Sequence, residues 1–249
     1  MKTCVIIPAL NEEQNVARAV HSARAASGTD VRVIVVDGGS SDKTRRAARR
    51  AGAHAVLSCT ERGRGVQMNF GANSRHAKDA QALVFLHADA VLPANYTASV
   101  KRLLFEESPP AVLGAFRLRI AGALRGVRLV AWGANIRSRL LGLPYGDQAL
   151  FLRRETFDAV GGYPKLPLLE DVRLVQACQK LGAIRIAPQD VAVSDRRWRV
   201  LGVARTTLLN QVIMLGDALH VDLHTLATTY RASYQRAAEQ RSKRPSARP

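Results

Sequence analysis

The sequence has no apolar run near the roughly 18 residues that a membrane-spanning helix requires, and nothing in its 249 residues reads as an internal repeat. Cysteine is scarce: Cys4, Cys59 and Cys178 lie far apart, cannot all pair and show no metal-ligand spacing. That excludes a disulfide-stapled scaffold and points to a reduced, cytoplasmic setting. The amino terminus lacks a basic flank and a small-residue cleavage site, so no signal peptide is expected. Aromatic residues are only 5% of the chain, few for stacking on bases. Acidic residues are also short, 20 against 37 Lys and Arg, which leaves a formal net charge of +17.

What is present is enough apolar material, 47% of the residues, for one sizeable core or a domain with an appendage. The basic excess favours anionic partners: nucleic acid, an acidic lipid surface or phosphorylated substrates. The Arg residues are scattered, however, and no nucleic-acid motif stands out, so specific nucleic-acid binding is not expected. Solvated Arg on helix surfaces is the simpler reading.

Residues 3–10 and 31–37 read as short buried strands rich in Val and Ile, each ended by polar residues. Helical patterns follow both. The first starts near Asn11, where Gln14 completes the spacing of a capping box. The second runs from about Asp42 to Arg50 and stops at Gly52; its Arg45, Arg46, Arg49 and Arg50 share one side. A helix near 66–76 precedes a third strand at 82–86. This alternation implies an α/β fold with a parallel sheet and right-handed crossovers. After Pro93 the pattern gives a helix near 94–106, a strand near 111–120 and a basic amphipathic stretch at 123–141. A strand at 148–152, a helix at 170–181 and a short strand at 183–187 come next. Residues 202–229 read as helical, and 231–249 are polar and basic with the composition of a disordered tail.

Polar and acidic residues gather at the strand ends, where open α/β sheets bind ligands. After the first strand come Pro8, Asn11 and Glu12; after the second, Asp37-Gly38-Gly39-Ser40-Ser41-Asp42. Glycines there let the backbone approach a ligand closely. Arg62-Gly63-Arg64-Gly65-Val66-Gln67 sets two cations beside a helix start, a site that favours anions. In His87-Ala88-Asp89 an extended backbone puts His87 and Asp89 on one side, and such a carboxylate can bind a divalent cation that bridges a diphosphate. Asp147 lies in a Gly146-Asp147-Gln148 turn. Glu170 and Asp171 open a helix; each is also explained by the helix dipole alone. Asp195-Arg196-Arg197-Trp198-Arg199 pairs cations with an aromatic.

Together these stretches resemble the inverting family 2 glycosyltransferases, which carry a GT-A nucleotide-sugar domain. The Gly-Arg-x-x-Gln-Met-Asn run with a His-Ala-Asp motif resembles a bacterial subgroup of them. The resemblance covers about residues 3–200 and implies a GT-A domain at 1–200, a helical extension at 201–230 and the basic tail at 231–249. It implies a nucleoside-diphosphate sugar as donor, a hydroxyl acceptor, and Mg²⁺ or Mn²⁺ held by Asp89. Asp171 is implied as the base that takes the acceptor proton, with Glu170 orienting it. Pro8, Asn11, Glu12, Asp37, Arg64, Gln67, His87, Asp147, Arg196 and Arg197 are implied around the donor. Two positions depart from the family pattern: Gly38 replaces an acid that contacts the base, and His87 replaces the first Asp of the metal motif. The Gln-x-x-Arg-Trp motif of processive relatives is absent, so polymer synthesis is not expected.

Two other classes stay open on the residues alone, a sugar-phosphate nucleotidyltransferase and a basic nucleic-acid-binding protein. Ala9-Leu10-Asn11-Glu12-Glu13 stands where the former carries a Gly-rich phosphate loop. Leu208, Leu209, Val212, Ile213 and Leu215 have the spacing of a face that binds an anionic membrane, peripherally at its inner side, or a second subunit in a homo-oligomer. Plain packing on the domain explains them equally well.

Overall fold

The structure, a computed structural model, describes residues 1–26 and 30–242. Its elements in chain order are β1 (Lys2–Ala9), α1 (Val16–Arg24), β2 (Asp30–Asp37), α2 (Thr44–Arg50), β3 (Ala55–Ser58), α3 (Arg64–Ala72) and β4 (Ala82–Phe85). Then come β5 (Ala90–Val91), α4 (Tyr96–Lys101) with a π-helical turn at Arg102–Glu106, β6 (Leu113–Ala121), α5 (Val127–Leu141) and a 3₁₀ turn at Gly146–Gln148. The chain continues through β7 (Phe151–Arg153), α6 (Arg154–Ala159), α7 (Glu170–Gln179), β8 (Ile184–Ser194), α8 (Arg196–Leu201), α9 (Val203–Ala218) and α10 (Leu223–Ser242).

The described strands form one mixed, mostly parallel sheet in the order β3-β2-β1-β4-β7-β6-β8-β5. β1 lies between β2 and β4 and is parallel to both. β7 joins the two halves by antiparallel pairing with β4 and β6. Because side chains alternate across a strand, β1 and β2 feed two cores. Val5, Ile7, Val33 and Val35 pack on one face with Val16 and Val20 of α1. Cys4, Ile6, Ile34 and Val36 pack on the other with Met68 of α3 and Leu174 of α7. This two-sided burial is why those strands read as unbroken apolar runs.

Several expectations are corrected. The capping box at Asn11 and Gln14 does not form: Asn11 sits at φ 53, outside the helix, and α1 begins at Val16. β3 lies in a span without alternation and was not expected, and β5 is too short to carry a pattern. β8 runs on to Ser194, well past 187, because its far half pairs with both β6 and β5. Residues 231–242 are not disordered but continue α10. Their Ala, Arg and Gln are good helix formers, and Leu226, Ala227 and Ala237 of this helix are buried. The remainder of the expected tail, 243–249, lies outside the described residues.

Candidate active site

A cavity of about 170 Å³ opens at the carboxyl ends of the central strands. Seven of the residues singled out from the sequence line it: Arg64, His87, Asp89, Asp147, Glu170, Asp171 and Arg197. They come from separate segments, which the sheet brings together as β1, β2 and β4 end at one edge.

Asp171 and Glu170 open α7, with Leu169 before them in the left-handed region at φ 62. One Asp171 oxygen, Oδ2, accepts the Gly146 N–H at 2.6 Å, and Oδ1 accepts its neighbour's Val172 N–H at 2.9 Å. Gly146 is needed there: a Cβ at this residue would lie 3.0 Å from both Asp171 Oδ2 and His87 Nε2. Glu170 is buried and lies 3.6 Å from the Arg64 guanidinium. Burial pushes its carboxyl up; Arg64 opposes that shift and the adjacent Asp171 adds to it.

His87 is held well below the usual histidine value, first by loss of solvent and then by the cations Arg64 and Arg197. The imidazole is therefore neutral near pH 7, able to donate or accept a hydrogen bond. Asp89, two residues on, has no side-chain hydrogen bond among the described residues, while its carbonyl accepts the Ser194 N–H at 3.1 Å. No group of three or more His, Cys, Asp or Glu that could hold a metal occurs among the described residues. A cation here would have the Asp89 carboxylate from the chain, with His87 lining the same cavity, and need further oxygens from a bound ligand. That donor set suits Mg²⁺ or Mn²⁺, which are often held by one or two carboxylates plus substrate phosphates.

The Gly146–Gln148 turn is anchored from beneath. Gln148 is fully buried; its Nε2 donates to the Phe116 carbonyl at 3.0 Å and its Oε1 accepts the Ser138 hydroxyl at 2.6 Å. Asp147 is thereby turned toward the cavity. Burial raises its carboxyl above the ordinary value, partly offset by Arg137, and its Oδ1 is buried with no partner among the described residues. Such an orphan oxygen is costly unless a ligand group meets it.

The other expected site residues form a second cluster, which braces the strand ends. Gln67 donates both amide hydrogens, to Ala9 O at 3.1 Å and Val36 O at 2.8 Å, tying β1 to β2. Its amide also fills the space beside Gly38, where a Cβ would lie 2.9 Å from Gln67 Nε2. Asn11 N–H donates to Ser40 Oγ at 2.9 Å, and Asn11 Oδ1 accepts the Ser41 N–H at 2.9 Å. Glu12 pairs with Arg196. Pro8 lies within β1 and is buried. Asp37 is buried too; its Oδ2 accepts the Gly39 and Ser40 N–H groups at 3.3 and 3.2 Å, while Oδ1 has no partner among the described residues. Asp42 accepts the Thr44 N–H at 2.9 Å and the Glu13 N–H at 3.1 Å, so it holds a turn. Within Arg64–Asn69, Arg64 alone lines the cavity. Asn69 exchanges two hydrogen bonds with the Tyr163 backbone, and Met68 is core.

Sequence reasoning missed one wall of the cavity. Asn210, Ile213 and Met214 of α9 and Tyr230 of α10 line it beside Tyr145 and Trp198. Arg197 lies over the Tyr230 ring, 5.7 Å from its centroid. Arg196 turns away to Glu12, so of the two adjacent arginines one faces the cavity.

The open α/β sheet, with a mixed acidic and cationic cleft at its strand ends, is of the GT-A type. The chain belongs to glycosyl transferase family 2, whose model matches residues 4–162, and it is a glycosyltransferase. No protein of curated function matches its sequence. Among solved structures, glucosyl-3-phosphoglycerate synthase from Mycobacterium tuberculosis, in complex with Mn²⁺, UDP and phosphoglyceric acid, is similar at TM-score 0.58 and 21% identity. That match covers 89% of this chain and 79% of the other. A mannosyltransferase from Pyrobaculum calidifontis in complex with GDP-Man and Mn²⁺ matches at TM-score 0.60 and 20% identity, over 98% and 76% of the two chains. A mycobacterial protein matches at TM-score 0.53 and 22% identity over 78% of this chain; there the match spans 65% of the relative's length. At these identities the likeness is one of fold.

Proposed function

We propose that this glycosyltransferase moves a sugar from a nucleoside-diphosphate donor to an acceptor hydroxyl, with inversion at the anomeric carbon. The observation that carries the reading is the meeting of Asp171, Glu170, Asp89, His87, Asp147, Arg64 and Arg197 around one cavity. Asp171 is the base. As the acceptor oxygen bonds to the anomeric carbon, its proton passes to the Asp171 carboxylate, and the bond from that carbon to the diphosphate oxygen breaks with its electron pair on the diphosphate. The Gly146 N–H bond to Oδ2 fixes the carboxylate while lone pairs on both oxygens remain.

Arg64 and Arg197 face the charge that develops on the leaving group, which is where fixed cations lower the barrier. Asp89, with neutral His87 beside it, would hold a divalent cation. Such an ion would supply positive charge opposite the departing diphosphate. Support for it comes from the donor set itself and from the Mn²⁺ present with UDP or GDP-Man in the two relatives. Asp147, whose buried oxygen lacks a partner, accepts a sugar hydroxyl. Asp37 receives the nucleoside, its free Oδ1 accepting a hydroxyl or base N–H. Asn210, Ile213, Met214 and Tyr230 make the acceptor side of the cleft, so residues 201–230 belong to the working site although they follow the segment matched by the family.

Calorimetric binding of UDP, GDP, ADP and dTDP, each with Mn²⁺ and then with EDTA, tests the donor half. One diphosphate is expected to bind in a metal-dependent way. If none binds under either condition, the proposal fails.

A further inference from the structure

Helix α9 carries apolar side chains on both its inner and its outer side. Its inner side packs through Ile213 and Gly216, and Asn210, Ile213 and Met214 of the same helix border the cavity. On the outer side Leu208, Val212, Leu215 and Leu219 recur at helical spacing and are all exposed, Leu208 at 64% and Leu219 at 68%. A second outward row stands on α5, where Leu129, Trp132 and Leu140 are exposed at 68%, 62% and 78%. The two helices begin at one corner of the molecule: a Cβ on Gly126 would lie 3.3 Å from a Val203 methyl. Scattered exposed leucines need no explanation, but periodic rows of them on neighbouring helices do.

The charges beside these rows are mostly positive; the exposed acid among them, Asp222 just past Leu219, is engaged at the start of α10, where its Oδ2 accepts the Thr225 N–H at 2.8 Å. Arg125, Arg128 and Arg139 are exposed on and just before α5, and Arg205 is exposed at the start of α9. None of the four has a carboxylate partner among the described residues. Asp217 of α9 does not offset them, since it turns inward to Arg173. By sequence alone, residues 231–249 hold six Lys and Arg against the single acid Glu239.

We propose that the outer rows of α9 and α5 dock on an anionic lipid surface, the apolar side chains entering the interface while the arginines meet lipid phosphates. Leucine and tryptophan on one face with cations alongside is the composition such a surface takes up. A second copy of this chain fits less well, because a two-fold contact sets a patch against itself and would oppose like charges. No described helix is long and apolar enough to cross a membrane, so the contact is peripheral. This docking stands whether or not Asp171 is the catalytic base, because none of its residues lines the cavity.

Co-sedimentation of the full chain with vesicles of phosphatidylglycerol and phosphatidylcholine in equal parts, against phosphatidylcholine alone, tests it. Binding is expected on the anionic vesicles, weakening as salt screens the arginines. The pair Leu208→Glu and Leu215→Glu should lower the partition constant about tenfold or more, since it puts two carboxylates into the contact. Both positions are exposed, so the fold is expected to persist, with circular dichroism as the check. Trp132 supplies a readout that needs no α9 variant: with Trp198 as the other tryptophan and buried, a blue shift of emission on vesicles that disappears in Trp132→Phe places α5 at the lipid. Absence of binding to anionic vesicles overturns the proposal, and so does undiminished binding by the double variant. It is equally overturned if light scattering shows a wild-type dimer that the same substitutions turn into monomer without any vesicle binding.

Discussion

Asp171→Asn separates the chemistry of the cleft from its scaffold, and its cost can be worked out on both sides. The Asp171 carboxylate accepts two backbone N–H groups, those of Gly146 and Val172. An asparagine has one oxygen to offer, so one of these donors would face an amide N–H instead. An unmatched, partly buried donor costs about 1–3 kcal/mol. At roughly 2–4 °C per kcal/mol for a chain of this size, the melting temperature should fall by several degrees with the protein still folded. Donor affinity should stay within about threefold, as for a general base that leaves the donor contacts untouched: Arg64, Asp89, Arg197 and Asp147 are unchanged, and one negative charge near the diphosphate is gone. Turnover should drop at least about a hundredfold, because the amide cannot take the acceptor proton. The assay is diphosphate release from whichever donor calorimetry identifies, with binding and melting measured on the same preparation. Wild-type turnover in a folded variant that binds donor normally would remove Asp171 from the mechanism. The companion Glu170→Gln should act chiefly through Arg64, raising the donor KM more than it lowers kcat.

Asp89→Ala should abolish the difference in diphosphate affinity between Mn²⁺ and EDTA; an undiminished metal dependence would place the cation elsewhere. Asp147 has its folded-state carboxyl raised by burial, so its ionised form is disfavoured by folding. The stability attached to that shift is present below the unfolded carboxyl value and is lost as pH rises through the folded one. Asp147→Asn should therefore melt higher than wild type at pH 7.5 and gain less at pH 4, while binding donor sugar more weakly; equal melting differences at the two pH values would contradict this. Gly38→Ala should displace the Gln67 amide from Ala9 O and Val36 O and cost about 1–3 kcal/mol of stability in denaturant unfolding. In a Gln67→Ala background the same substitution should cost much less, and a cost unchanged there would show that Gln67 is not what the new methyl meets.

Strands β1, β2 and β4, the helices between them and the polar residues at the strand ends were legible in the chain because burial on both faces writes a strand as a continuous apolar run. The family pattern likewise pointed to Arg64, Asp89, Asp147, Glu170 and Asp171, which do share one cavity. Sequence could not sort those residues from their neighbours. Gln67 and Arg64 lie three apart in one motif, yet one braces two strands and the other lines the cleft, since helix rotation and the place of the sheet decide which side each presents. Arg196 and Arg197 divide in the same way, one to Glu12 and one to the cavity. The Asn11 capping box failed because the Asn11 side chain has a tertiary partner, Ser41, thirty residues away. The fit of Gly38 to Gln67 is a contact across twenty-nine residues that no local pattern encodes.

By itself, then, the sequence determined the alternation of β1, α1, β2, α2, α3 and β4, the α/β class and the acidic and basic groups available at the strand ends, because these follow from periodicity and residue type. Only the tertiary structure decided that α9 and α10 close the cleft and that α9 shows a second apolar side to solvent. With leucine, isoleucine and valine on both sides of α9 its pattern gives no single direction, so which side meets the protein is decided by what packs there: Ile213 lines the cleft and Gly216 lies against Leu226 of α10.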